Sequence, residues 1–176
     1  MDFTPLFRLG LTLSALWHVL AYAAGAVFVY FSYRALWGFD TYESRWGKII
    51  RGADIHLWLS GFVLIAFGIL LSDFQTYLSN PKLWTKVSLV VVWLISTQVM
   101  RRVAVPALMK GKRDLMLMMS GVSLSCWFYG AFLGCAKPLA YGKVPFEFLA
   151  GGFILVTAVC LGMTYYFESK FAGKKA

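Results

Sequence analysis

Five stretches of the chain run from one charged residue to the next without interruption: Leu9–Tyr33, Ile55–Ser72, Val87–Met100, Leu115–Ala136 and Phe148–Phe167. A hydrocarbon core about 30 Å thick needs about 20 predominantly apolar residues in helical form, so four of these are long enough as they stand. The third reaches that length once Asn80-Pro81 is read as an N-cap followed by proline at the first helical position, where a missing N–H costs nothing. Lys82 and Lys86 then fall in its first turns. The pattern predicts an all-α integral membrane bundle of five transmembrane helices, at roughly residues 9–33, 52–72, 81–104, 115–136 and 147–168. The connections are too short to hold a separate domain, and no repeat or Pro-rich linker interrupts them, which gives one polytopic membrane domain over 1–176. The opening MDFTPLFRLG has neither a separate basic segment nor a small-residue cleavage site, so the first helix is expected to be retained.

Composition agrees with this pattern. Hydrophobic residues make up 60% of the 176 and charged residues 14%, whereas soluble domains carry about 25% charged residues. The net charge of +9 would suit a nucleic-acid partner, but its distribution argues for a different cause. Lys and Arg number four in the first connection, five in the third and three in the C-terminal tail, against one at the N-terminus, two (Lys82 and Lys86) following the second connection and two in the fourth. Twelve against five on alternate sides is the positive-inside pattern, with the N-terminus outside and the C-terminus in the cytoplasm of a cell inner membrane. The basic residues then serve orientation and anionic headgroups, and the expected partner is the lipid bilayer, not nucleic acid. Trp17, Trp37, Trp46, Trp84, Tyr33 and Tyr77 read as interfacial anchors.

Polar side chains inside such spans are costly and therefore mark candidate sites. His18 lies 16 residues before Arg34, and Lys86 lies 15 before Arg101. At about 1.5 Å of rise per residue both sit roughly 23 Å above the inner boundary, in the outer half of the bilayer. His56, counted from Arg51, falls about 8 Å above that boundary, which separates the two histidines by roughly 16 Å and excludes one shared metal ion. Ser14, Ala15, Ala21, Tyr22 and Gly25 accompany His18 at helical spacing, as on a face that another helix approaches. His56 points away from the small stripe Asp54, Gly61, Gly68 of its own helix, with Ser60 one turn on. His18 is therefore the leading candidate ligand or proton carrier, with His56 second; Asp54 is expected to be solvated or paired with Arg51. Lys86 has an alternative reading as a side chain snorkelling to the outer interface.

Other constellations are weaker. Cys126, Cys135 and Cys160 form no C-x-x-C and read as small apolar residues. Met109, Met116, Met118 and Met119 cluster around the third connection, where thioethers could take Cu(I). No Ser/His/Asp set, phosphate-cradling glycine loop or H-E-x-x-H is present, so hydrolase chemistry has no machinery here.

Three segments together resemble the copper-resistance D-like and J-type protoporphyrinogen oxidase-like group of small bacterial membrane proteins. They are WHVLAYAAG in the first span, SGFVLIAFGILL in the second, and NPKLWTKVSLVVVWL opening the third with VAVPAL after it. The likeness covers roughly residues 13–108. It implies that His18 and Lys86 serve the binding of haem b and oxidation of a porphyrinogen, or copper handling in the other branch. His18 would be the axial ligand, with Gly25, Ala21 and Ser14 leaving a flat slot that Tyr22 or Trp93 lines, and Lys86 would ligate the iron or pair with a propionate. Three function classes follow: a haem-binding oxidoreductase working with porphyrin or quinone, a copper- or metal-handling membrane protein, and a non-catalytic subunit whose polar residues join helices, a second copy or a partner membrane subunit.

Overall fold

In the computed structural model, residues 3–36, 44–72, 74–139 and 143–172 are described, and every regular element among them is helical. The long elements are α1 (Thr4–Leu36), α2 (Ser44–Leu71), α4 (Pro81–Val99), α6 (Asp114–Cys135) and α7 (Phe146–Ala172), with a short α3 (Phe74–Leu78) and α5 (Val105–Met109) between them. Five stretches are long and apolar enough to cross a membrane: Thr4–Phe31, Gly52–Leu71, Pro81–Met109, Asp114–Cys135 and Phe146–Lys170. Exposed Leu9, Leu13, Leu16 and Leu20 on α1, and Phe148, Ile154, Leu155 and Val159 on α7, present the apolar surface that lipid contact requires.

The boundaries follow backbone chemistry more than charge. α4 begins at Pro81, whose fixed φ suits a first helical position. It does not stop near residue 104. Pro106 lacks an N–H, and its ring would collide with the carbonyl four residues back; the turn Met100–Ala104 widens to a π-helix in which the Val105 N–H reaches Met100 O. The helix thereby continues through α5 to Met109. There Gly111 adopts φ +79°, and the Lys112 N–H bonds back to Ala107 O at 3.0 Å, the Schellman closure that only a residue at ease in the left-handed region supports well. α2, likewise, starts at Ser44, seven residues before the arginine that the charge pattern takes as its end.

The chain packs as two compact units, Met1–Phe28 with Glu43–Asn80, and Val29–Tyr42 with Pro81–Ala176. In the first, α1 and α2 meet side chain to side chain. Gly10 faces the Phe67 ring, and Gly68 faces the ring of Tyr77 on α3, each too close to admit a Cβ without the ring moving.

In the second unit α4, α6 and α7 pack against one another. α6 is buried on several sides, from Met116 and Leu117 through Ser120, Gly121, Ser123 and Ser125–Trp127 to Tyr129 and Leu133. Leu89, Tyr129, Leu133 and Leu149 form a core against which Phe153 and Val156 pack. The Tyr129 hydroxyl donates to Leu149 O at 2.6 Å, and the Thr157 hydroxyl donates to Ser125 Oγ at 2.9 Å, tying α7 to α6. A Cβ on Gly121 would lie 2.7 Å from Leu161 Cδ2 and 3.3 Å from Leu161 Cα, so the two backbones touch there. Gly121→Val is expected to cost about 1–3 kcal/mol by overpacking, read as unfolding in mixed micelles titrated with a denaturing detergent. Gly151→Ala, where no atom lies within 4 Å, is the neutral control.

At the end of this unit Arg113 joins three helices. Its guanidinium donates to Leu36 O, a last-turn carbonyl of α1, and pairs with Glu168 Oε1 of α7 at 3.0 Å. A cation at a helix C-terminus answers both the orphan carbonyl and the negative end of the dipole. Tyr33 of α1 reinforces the joint through its hydroxyl, 2.7 Å from Thr164 Oγ1.

Candidate functional site

His18 stands on the buried face of α1. Ser14, Ala21 and Gly25 of the small-residue stripe are buried, Tyr22 is half-buried, and Ala15 is exposed. The ring is half-buried, with Cε1 3.8 Å from where a Cβ on Gly61 would sit, so it lies against the backbone of α2. Its Nδ1 is 2.9 Å from Ser60 Oγ, and Ser60, fully buried, donates its own hydroxyl to Leu57 O at 3.1 Å. A serine has one O–H. In the tautomer in which Ser60 donates to Leu57 O, its oxygen accepts from His18 Nδ1–H and the ring lone pair lies on Nε2. A hydrogen-bonded Nδ1–H with Nε2 as the basic nitrogen is the arrangement that orients imidazole as a metal ligand.

His56 is exposed on α2, and its ring packs edge-to-face on Trp17 with centroids 6.0 Å apart at 69°. Trp17 is thus a packing partner of His56. The two histidines are also closer in height than counting predicts. Ser60, which bonds His18, is one turn from His56, and Trp17, which touches His56, adjoins His18; the rings are offset by about one turn, roughly 6 Å of rise. The 16 Å figure fails because it starts from Arg51, and α2 already runs for seven residues before that point. Asp54 is buried and not solvated; the side chain of Arg51 lies outside what is described.

Lys86 belongs to the second unit. It is half-buried on α4, one turn beyond Lys82, whose ammonium is buried and donates to Ala136 O at 2.6 Å. Trp93 is buried in that unit against Trp127, the rings perpendicular with centroids 5.3 Å apart. Among the anchor residues, Trp84 is exposed, Tyr77 packs on Gly68, Tyr33 bonds Thr164, and Trp37 and the Trp46 side chain lie outside what is described.

Met116 is fully buried, Met119 is half-buried, and Met109 and Met118 are exposed. Cys126 and Cys160 are buried and Cys135 is exposed, all three as free thiols. Among the described residues, no three His, Cys, Asp or Glu side chains are placed to hold a metal ion. A bare metal needs three or four protein ligands, whereas haem brings four nitrogens of its own and asks the chain for one or two. The donor set around His18 fits the second demand.

Sequence reasoning missed two residues. Ser60 is visible only as a hydroxyl one turn from His56, and nothing in the sequence pairs it with His18 across 42 positions. Arg113 reads as one more basic residue of the third connection. No family model matches the chain, and no curated protein or solved structure matches it.

Proposed function

We propose that the chain is a multi-pass protein of the bacterial inner membrane, N-terminus outside, that holds haem b through His18 for redox chemistry with a porphyrinogen or a quinone. The observation that carries this reading is the Nδ1–Ser60–Leu57 chain of hydrogen bonds, the kind of contact that orients an imidazole to ligate through its other nitrogen. The resemblance of residues 13–108 points the same way. Haem bound there would supply one-electron chemistry. The residues of the chain contribute the axial imidazole, its orientation by Ser60, and apolar walls that exclude water. His56 would line the same side of the helix pair without ligating.

A second reading rests on the same bond. Because His18 and Ser60 link α1 to α2, the imidazole has a sufficient purpose as an interhelical hydrogen bond in a non-catalytic subunit. Absorption spectra of protein purified in detergent from haem-replete cells separate the two. The haem reading predicts a Soret band and about one haem per chain. A colourless protein with stoichiometric copper would transfer the function to metal handling, and a colourless, metal-free protein would leave the subunit reading.

A further inference from the structure

Two ammonium groups, Lys82 and Lys86, stand one turn apart at the start of α4. Lys82 is only 7% exposed, and its Nζ donates to Ala136 O, the C-cap carbonyl of α6. That contact uses the negative end of the α6 dipole, which compensates part of one ammonium. Lys82 does not reach for water, so snorkelling does not account for it. Lys86 lies four residues on and therefore on the same face. It is half-buried, and among the described residues no hydrogen bond or ion pair engages it. Lys82 is the like charge one turn before it. Two ammonium groups one turn apart repel, and they do so more strongly where apolar surroundings replace water.

We propose that Lys82 and Lys86 form a binding site for the acidic group of an amphipathic ligand, a carboxylate or phosphate whose apolar body lies along the membrane-facing side of α4. An anion between the two ammonium groups would remove their repulsion and satisfy Lys86. The site sits where α4 begins and α6 ends, within about two turns of the end of the spanning stretch, so a headgroup reaches it from the interface while its tail stays in hydrocarbon. It involves α4 and α6 alone and goes beyond the haem reading, because it stands in protein that contains no haem.

The chain carries its own reporter for this site. Cys135 is exposed and directly precedes Ala136, whose carbonyl Lys82 bonds, whereas Cys126 and Cys160 are buried. In native protein in neutral detergent, a negatively charged methanethiosulfonate should modify Cys135 at least tenfold faster than its positively charged counterpart, once both are normalised to the denatured chain. Lys82→Gln and Lys86→Gln should each reduce the preference and Lys86→Arg should keep it, with continued protection of Cys126 and Cys160 as the check on folding. Laurate should slow the labelling of wild-type protein, and inorganic phosphate at equal concentration should not. Slower labelling in nanodiscs containing phosphatidylglycerol than in purely zwitterionic ones assigns the site to a lipid headgroup; slowing by laurate alone assigns it to a free amphiphile. Equal rates for the two reagents, equal protection by inorganic phosphate, or laurate protection that survives the double Lys→Gln substitution overturns the proposal.

Discussion

Replacing His18 by alanine is expected to leave the purified protein inserted but without a Soret band, whereas His56→Ala is expected to keep wild-type haem content. The difference comes from what each ring touches. His18 Nδ1 is hydrogen-bonded to Ser60 Oγ on the neighbouring helix, and Ser60 Oγ also meets Leu57 O. His56 is held by ring packing on Trp17 and is exposed. Ser60→Ala removes the acceptor that orients His18 without removing the ligand, so haem affinity is expected to fall about 10–100-fold, the usual cost of losing a residue that orients a ligand. Titration of haem into the three apoproteins gives all three numbers. A purely structural His18 would leave haem binding intact in every variant.

Fusions placed after Lys112 and after Lys143 are expected to report from opposite sides of the membrane. Lys112 lies in the tight turn closed by Gly111, between α5 and α6, and Lys143 lies ahead of α7. The first connection, the third connection and the tail hold twelve of the seventeen Lys and Arg residues. Short basic connections stay in the cytoplasm because moving each charge across the bilayer is costly. A cytoplasmic reporter should be active after Lys112 and silent after Lys143, and secreted alkaline phosphatase should give the reverse. Phosphatase activity after Lys112 inverts the orientation.

The number and type of the helices were legible because a spanning helix must be apolar along its whole length, which leaves a signal that no tertiary context can hide. Pro81 was legible as a start for the same local reason. The far end of that helix was not: the remedy for Pro106 is a widened turn, a backbone adjustment that no residue type announces. The apolar span of α2 begins at Gly52, as the charge pattern predicts, but the helix itself begins at Ser44, so a charge marks the span and not the helix end. His18 could be selected from its surroundings in sequence, since cost and spacing both act locally. Its bond to Ser60 could not, because partner choice between helices depends on their register and rotation. The lysine pair shows the same division: its spacing is plain in PKLWTK, while burial of Lys82 beneath the end of α6 belongs to the packed unit.

Imidazole rescue tests most directly the proposal that His18 ligates haem iron through Nε2. Purified His18→Gly protein, incubated with haem, is predicted to be colourless, and added imidazole is predicted to restore the wild-type Soret band by filling the place of the lost ring. A His18→Gly protein that holds wild-type haem with an unchanged spectrum and no imidazole would contradict the claim.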